Sequence, residues 1–202
     1  MKSRYTTLLV IVAATAVLSQ KPSYADDRQG GGIPLVVGQF SFSAQGNVGI
    51  CLNPGTSTVE SCGASGVVVI STIGTDNGAV TWDDAGNSCA SYTNVQSALP
   101  LGGSPPAVTA TAHLVTKLAD YDSTTGTGNN LFTTYIGGTC NGATFDSRGA
   151  TVFSTGSEHF VVSDGGNRLD FVLTTLTNST HSIGGFSFTG TELKQTSPQR
   201  FQ

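Results

Sequence analysis

The chain has 202 residues, of which 11% are charged, with thirteen acidic against nine basic residues. Its net charge of −4 gives no electrostatic reason to bind nucleic acid or an anionic lipid surface, so we expect neither partner. A hydrophobic content of 38% excludes a chain that is disordered throughout. The 26 glycines, among abundant Thr, Ser and Val, are typical of many short strands joined by tight turns.

The first 25 residues have the pattern of an export signal. Lys2 and Arg4 precede an apolar stretch over residues 6–18, and the small residues Ser23 and Ala25 occupy the two positions that signal peptidase reads. Thirteen residues are too few for a helix to cross a hydrocarbon core of about 30 Å, so the pattern favours a cleaved signal over an anchor. We therefore predict a signal peptide over residues 1–25 and a single domain over residues 26–202. The expected location is the periplasm or the extracellular space, and no membrane-spanning segment is expected.

After the leader, short apolar or alternating runs are separated by turn signals. Asp76-Asn77-Gly78 predicts a tight hairpin turn, because Asn-Gly readily adopts positive φ angles. Residues 84–87 and 164–167 predict two more turns, and the Pro/Gly-rich residues 98–106 predict a long surface loop. Strands are predicted over residues 40–44, 67–70, 79–82, 89–92, 108–115, 131–136, 150–153, 160–162, 169–173 and 186–193.

The regular hairpin spacing predicts an antiparallel meander, since no segment of residues 26–202 shows a helical period. The similar runs Phe40-Ser-Phe-Ser and Phe186-Ser-Phe-Thr lie near the two ends of the domain. If these strands pair, the sheet has no free edge and the phenylalanines share one face. We therefore predict an all-β fold, a closed antiparallel up-and-down barrel of about 8–10 strands over residues 26–202. The alternative is an immunoglobulin-like β-sandwich.

Four cysteines, Cys51, Cys62, Cys89 and Cys140, follow the predicted signal. An even number in an exported chain indicates two disulfides, for which three pairings exist. We favour Cys51–Cys62 and Cys89–Cys140, because the turn signal Asn53-Pro-Gly lets the chain double back between the first two. No C-x-x-C spacing is present, which argues against a zinc site or a thioredoxin-type redox site.

Four stretches between Tyr121 and Leu193 carry a resemblance: YDSTTGTG, GGTCNGATFDSRGAT, FVVSDGGNRLDFVLT and GGFSFTGTEL. They resemble small, mostly uncharacterised secreted bacterial β-barrel proteins of a loosely lipocalin-like (calycin-type) build, with GQFSFSAQG over residues 38–46 as the opening strand. The lipocalin G-x-W signature is absent, and Trp82 is the only tryptophan. The resemblance therefore implies a barrel fold and assigns no functional residue.

The sequence names no catalytic residue, cofactor or metal ligand. It contains no G-x-S-x-G elbow, phosphate-binding loop, H-E-x-x-H or complete EF-hand, and residues 83–87 are interpreted as a capped turn. His113, His159 and His181 are expected at separate surface positions. Arg168 and Asp170 share one strand face, and His159 or Glu158 is their expected cross-strand charge partner.

Three functions remain open from the sequence. The first is a non-enzymatic binding module whose barrel holds a small apolar ligand between phenylalanines at positions 40, 42, 186 and 188. The second is a structural or interaction protein of the cell envelope. The third is a barrel-type cyclase, isomerase or hydrolase, which a buried carboxylate or histidine with a perturbed pKa would favour. The sequence fixes neither the ligand nor the oligomeric state.

Overall fold

A computed structural model describes residues 32–56, 58–98, 108–179 and 182–195. Most of these residues lie in antiparallel strands. The strands are β1 (Gly38–Asn53), β2 (Thr58–Val59), β3 (Val68–Trp82), β4 (Asn87–Ala98), β5 (Val108–Asp122), β6 (Thr127–Ile136), β7 (Thr139–Asn141), β8 (Thr144–Asp146), β9 (Thr151–Ser163), β10 (Arg168–Asn178) and β11 (Ile183–Lys194). A single 3-10 turn over Asp164–Gly166 joins β9 to β10.

Eight of the described strands close into a barrel. Their order around the barrel is β1, β3, β4, β5, β6, β9, β10 and β11, and β11 pairs with β1 again. Every pairing in this ring is antiparallel. The predicted closed up-and-down barrel is therefore confirmed. The sandwich alternative is wrong, because β1 and β11, which would be edge strands of an open sheet, are hydrogen-bonded to each other.

The two terminal strands pair as predicted, but the similar phenylalanine runs are offset along the barrel. Phe42 lies opposite Glu192, and Phe188 lies opposite Gly46. Phe40 and Phe42 are buried in the core, whereas Phe188 is partly buried nearer the other end of the barrel. The offset spreads the rings along the lumen instead of stacking them at one level.

The predicted hairpin turn at Asp76–Gly78 is wrong, because β3 runs without a break from Val68 to Trp82. Asp76 instead points into the barrel, where its Oδ1 accepts a hydrogen bond from Asn94 Nδ2 on β4. Gly78 lies opposite Tyr92, and a Cβ at Gly78 would overlap backbone and side-chain atoms of Ser91 and Tyr92. The Asn-Gly pair therefore serves close packing within a strand, and the chain turns after Trp82, over residues 83–86.

Inward-facing glycines lie opposite aromatic rings at several levels of the barrel. The cross-strand pairs are Gly46–Phe188, Gly78–Tyr92, Gly128–Phe160, Gly156–Phe132 and Gly190–Phe171. At each of these glycines a Cβ would overlap the partner residue. The rings lie over the bare glycine backbone, which lets eight strands curve tightly while large side chains fill the interior.

The segment that precedes β1 closes one end of the barrel. Val36 is fully buried, and Ile33 and Leu35 pack against the same core. Tyr121 donates its hydroxyl to the Ile33 carbonyl oxygen at 2.5 Å, and Pro34 lies beside Gly166 of the β9–β10 turn. We call this the closed end. It brings together the β3–β4, β5–β6 and β9–β10 turns.

The cysteines form the pairs that the sequence favoured, Cys51–Cys62 and Cys89–Cys140, with Cα–Cα distances of 5.1 and 5.6 Å. The second pair attaches the β7–β8 hairpin, which the sequence did not predict, to the outer side of β4. Two disulfides are compatible with an oxidising, exported location. Over the described part of the chain, no helix has the length and apolar character needed to cross a membrane.

Candidate functional site

A cavity of about 310 Å³ occupies the half of the barrel that lies away from the closed end. At the strand ends that form its rim, Ile50, Ile136 and Ile183 lie together with the polar residues Gln96 and Asn178. Deeper in the barrel, the carboxyls of Asp76 and Glu158 join the wall. This volume is at the lower limit of small-molecule pockets, so the cavity suits a compact ligand.

Aromatic rings form much of the cavity wall. Phe42 stacks on Phe171 with ring centroids 5.9 Å apart, and it meets the edge of Tyr92 at 5.7 Å. Phe132, Phe153 and Phe188 also line the cavity. Together they give an apolar surface with electron-rich ring faces, which attracts both hydrocarbon and organic cations.

Asp76 is a buried carboxyl on one wall of the cavity, with 8% of its surface exposed. Asn94 lies directly opposite it on β4 and donates the 2.5 Å hydrogen bond to it. Burial raises the pKa of Asp76 to about 6, although the bond from Asn94 opposes this shift. The nearby negative charge of Asp76, with burial as the larger cause, also raises the pKa of Tyr92.

Glu158 reaches the cavity from β9, four strands away from the β3 strand of Asp76 in the eight-stranded ring. The two carboxyls therefore lie on opposite walls. Asn130, paired with Glu158 across β6 and β9, donates its Nδ2 to Glu158 Oε1 at 2.9 Å, while Asn130 Oδ1 is buried without a partner. Burial raises the pKa of Glu158 to about 7. This carboxyl can exchange a proton near neutral pH.

Glu192 lies deeper, toward the closed end, and is 3% exposed. Trp82 donates its indole Nε1–H to Glu192 Oε2 at 2.6 Å. Burial, with a smaller contribution from the charge of Glu158, raises the pKa of Glu192 to about 8. Glu192 does not line the cavity, so its role is to pair with Trp82 and to couple electrostatically to Glu158.

No Lys, Arg or His occurs among the described residues that line the cavity. Any ionised carboxylate there lacks a counter-ion from the wall itself. Among the described residues, no cluster of three or more His, Cys, Asp or Glu side chains has the arrangement of a metal site. The arrangement can therefore hold a compact apolar molecule, donate or accept hydrogen bonds through its carboxyls, and move a proton.

The two described histidines, His113 and His159, lie away from this cavity. His113 Nδ1 is 3.0 Å from Ser91 Oγ and 3.7 Å from the Cys140 sulfur, on the outer wall beneath the β7–β8 hairpin. His159 Nδ1 is 3.1 Å from Asn129 Oδ1, also on the outside. The prediction for His181 lies outside the described residues, as does most of the predicted loop over residues 98–106.

The predicted charge pairing of β10 needs a correction. Arg168 binds Asp170 of its own strand, with Nε 2.7 Å from Oδ2, and Thr191 of β11 donates to Asp170 at 2.6 Å. Glu158 cannot take part because it faces the lumen, opposite in orientation to its outward neighbour His159. Residues 83–87 form the capped turn that was predicted, in which Asp83 Oδ1 accepts from the backbone N–H of Ala85 and Asn87.

A second concave surface, of about 790 Å³, lies on the outside of the barrel across β1, β3, β9, β10 and β11. Its lining mixes hydroxyl and amide side chains, such as Ser43 and Asn77, with apolar ones, such as Val161, and it includes Asp170 and His159. It has no buried carboxyl of the kind found inside the lumen, since Asp170 is paired with Arg168. The buried carboxyls of Asp76 and Glu158 make the lumen the candidate functional site.

The sequence did not reveal Asp76, Glu158 or Glu192 as a group. The available signal was the period of two along a strand. In β9, Glu158 is two residues from the buried Phe160 and so shares its face; in β11, Glu192 is four residues from the partly buried Phe188 and shares its face. An acidic residue in the apolar phase of a strand marks an inward-facing carboxyl.

A search of protein-family models found no match, and comparisons with curated proteins and with solved structures found none.

Proposed function

We propose that this protein is an exported, non-enzymatic binding module that holds a small, predominantly apolar ligand in the lumen of its barrel. The observation that carries the proposal is the cavity of about 310 Å³, lined by aromatic and aliphatic side chains and closed at one end by residues 33–36. A solid core would have left no such space.

The wall supports this function because it is held in place by the strands themselves. The rings of Phe132 and Phe171 lie against glycines of neighbouring strands, so the surface exists before a ligand arrives. A preformed site loses little conformational entropy on binding. The two disulfides add rigidity suited to a protein that works outside the cell, in keeping with the predicted signal over residues 1–25 and the calycin-type resemblance.

The test combines native mass spectrometry with a lumen-filling variant. The full chain is expressed in an exporting host, and its intact mass reports cleavage after Ala25 and the loss of four hydrogens that two disulfides require. Binding is then measured with the neutral fluorescent probe N-phenyl-1-naphthylamine. We expect the chain to bind the probe and Ala110→Trp, which fills the cavity, to lose at least tenfold in affinity.

The matched control is Thr111→Trp, the adjacent residue on the same strand, which is exposed and outside the cavity. It should bind the probe as the unaltered chain does. Equal loss in both variants, or unchanged binding in Ala110→Trp, would contradict a lumen site.

A second candidate function, acid–base catalysis in the same lumen, is favoured by one observation. Glu158 lines the cavity with a pKa raised to about 7, where a carboxyl both gives and takes protons efficiently. A bound molecule that the protein converts, with conversion lost in Glu158→Gln while binding persists, would support catalysis. A molecule that is recovered unchanged from the barrel supports the binding module.

A further inference from the structure

The lumen combines two kinds of group that rarely line an apolar cavity together. Carboxyls project from opposite walls at Asp76 and Glu158, and six aromatic side chains surround them: Phe42, Tyr92, Phe132, Phe153, Phe171 and Phe188. A purely hydrocarbon ligand would leave each carboxyl in a dry site with a single amide donor, Asn94 for Asp76 and Asn130 for Glu158. An ionised carboxylate held by one hydrogen bond in such a site is costly. The ligand therefore has a polar group that meets them.

Asp76 is the better anchor of the two carboxyls. Phe188 lies close to Gly74, the next inward-facing position on β3, and the Asn94 amide is near the same glycine. Tyr92 is the inward-facing residue before Asn94 on β4; burial raises the pKa of Tyr92, and the charge of Asp76 adds to the increase. Along the inward face of β3, Asp76 thus lies between Gly74, which is near Phe188, and Gly78, which is opposite Tyr92. Asn94 is its one described hydrogen-bond donor.

The charge balance of the wall favours a cation over other polar groups. An ionised carboxylate beside aromatic ring faces attracts a positive charge through both ion pairing and the ring quadrupole. Among the described residues of the cavity wall there is no Lys, Arg or His to meet that carboxylate. An anionic ligand such as a fatty acid would be repelled by the same carboxylates.

From this juxtaposition we infer that the ligand is a hydrophobic amine, whose ammonium group binds between Asp76 and the surrounding aromatic rings while its apolar body extends toward the Ile50–Ile136–Ile183 rim. The inference rests on the proposed binding function and specifies the chemical class of its ligand. Glu158, on the opposite wall, contributes a second acceptor to the same polar end of the cavity.

The test uses three probes with one hydrocarbon body: 4-phenylbutylamine, 4-phenylbutanol and 4-phenylbutyrate, titrated calorimetrically into the full exported chain at neutral pH. We expect the amine to bind at least tenfold more tightly than the alcohol and the acid to bind more weakly than either. Asp76→Asn keeps an acceptor for Asn94 and removes the charge. It should reduce amine affinity at least tenfold and leave alcohol affinity within twofold.

Asp170→Asn, a carboxyl on the outer wall, is the matched control and should change neither affinity. If the alcohol binds as tightly as the amine, the ammonium inference is overturned while lumen binding stands. If no probe binds, both the inference and the proposed function are contradicted. The three-probe comparison on the unaltered chain decides the question even if Asp76→Asn fails to fold.

Discussion

Trp82 Nε1 donates a hydrogen bond of 2.6 Å to Glu192 Oε2, joining β3 to the last strand of the barrel across 110 residues of sequence. Both side chains are 3% exposed. The bond lies beyond the polar end of the cavity, near the closed end, and it gives the buried carboxyl a partner. The hydrogen bond therefore connects the last barrel strand to β3, and its acceptor Glu192 is electrostatically coupled to Glu158 of the cavity wall.

Replacing Trp82 by Phe should destabilise the barrel by about 1–3 kcal/mol, because Glu192 then stays buried without its donor. Glu192→Gln should cost less, since its amide oxygen still accepts from the indole. The measurement is urea unfolding followed by circular dichroism. Trp82→Phe, Glu192→Leu and their double variant form a mutant cycle, because leucine, unlike glutamine, has no acceptor for the indole. A coupling energy near zero between the two positions would show that the hydrogen bond contributes nothing to stability.

Stability should fall as the pH rises from about 5 to about 8. Burial raises the pKa of Glu192 to about 8 and of Glu158 to about 7, whereas each carboxyl ionises near its ordinary value of 4.5 in the unfolded chain. Their contribution is therefore complete below pH 4.5 and is lost as the pH passes through the folded values. Between its unfolded and folded pKa values, each carboxyl lowers the free energy of unfolding by up to about 1.4 kcal/mol per pH unit.

Thermal unfolding between pH 5 and pH 8 checks this expectation. The melting temperature of the unaltered chain should decrease, and the double variant Glu158→Gln/Glu192→Gln should change distinctly less. Asp76, whose pKa burial raises to about 6, adds a smaller decrease in the same direction. Asp84→Asn, in an exposed turn, serves as control. A melting temperature that rises with pH over this range would contradict the assignment of these carboxyls to the protein interior.

The glycine–aromatic pairs predict which glycines tolerate a methyl group. Gly78→Ala should destabilise the barrel by about 1–3 kcal/mol, because the new Cβ would overlap the Ser91 carbonyl oxygen and Tyr92, and backbone cannot easily give way. Gly63→Ala is the matched control, since its Cβ would meet no atom within 4 Å. Urea unfolding measures both. Equal stability of the two variants would show that β3 and β4 are not packed as described.

Strand content and closure were predictable from the sequence, because hairpin turn signals and the matching Phe-Ser-Phe runs are local patterns. The turn expected at Asp76–Gly78 was not found. An Asn-Gly pair can form a hairpin turn or can place a glycine under a large side chain within a strand, and the local sequence is the same in both cases. In this chain tertiary contacts decide, with Asp76 bonded to Asn94 and Gly78 beneath Tyr92. The polar residues of the cavity could not be predicted from the sequence either. Their arrangement depends on the strand order and register, which place Glu158 across the lumen from Asp76.

The β7–β8 hairpin was missed for a related reason. Its strands have three residues each, too few for a period-two pattern to emerge. Its position depends on the disulfide to Cys89 and on Phe145, whose ring stacks 4.5 Å from Tyr135. The even number of cysteines predicted that Cys140 forms a disulfide, but it did not show that Cys140 lies in a short hairpin.

The two disulfides should contribute unequally to stability. Cys89–Cys140 closes a loop of 51 residues and Cys51–Cys62 one of 11, so the chain-entropy model predicts that the longer loop restricts the unfolded chain more, by about 1 kcal/mol. Cys51 and Cys89 are both buried, whereas Cys62 is exposed and Cys140 is half-buried, so replacing the 89–140 pair by alanine also removes somewhat more packing. Removing Cys89–Cys140 should therefore lower the melting temperature further, by roughly 2–4 °C for each additional kcal/mol. Thermal unfolding of Cys89→Ala/Cys140→Ala beside Cys51→Ala/Cys62→Ala decides the order. If loss of the Cys51–Cys62 disulfide lowers the melting temperature more, the chain-entropy model does not explain the stability of this barrel. The effect of that disulfide would then lie in the folded state, where Cys51 is buried on β1.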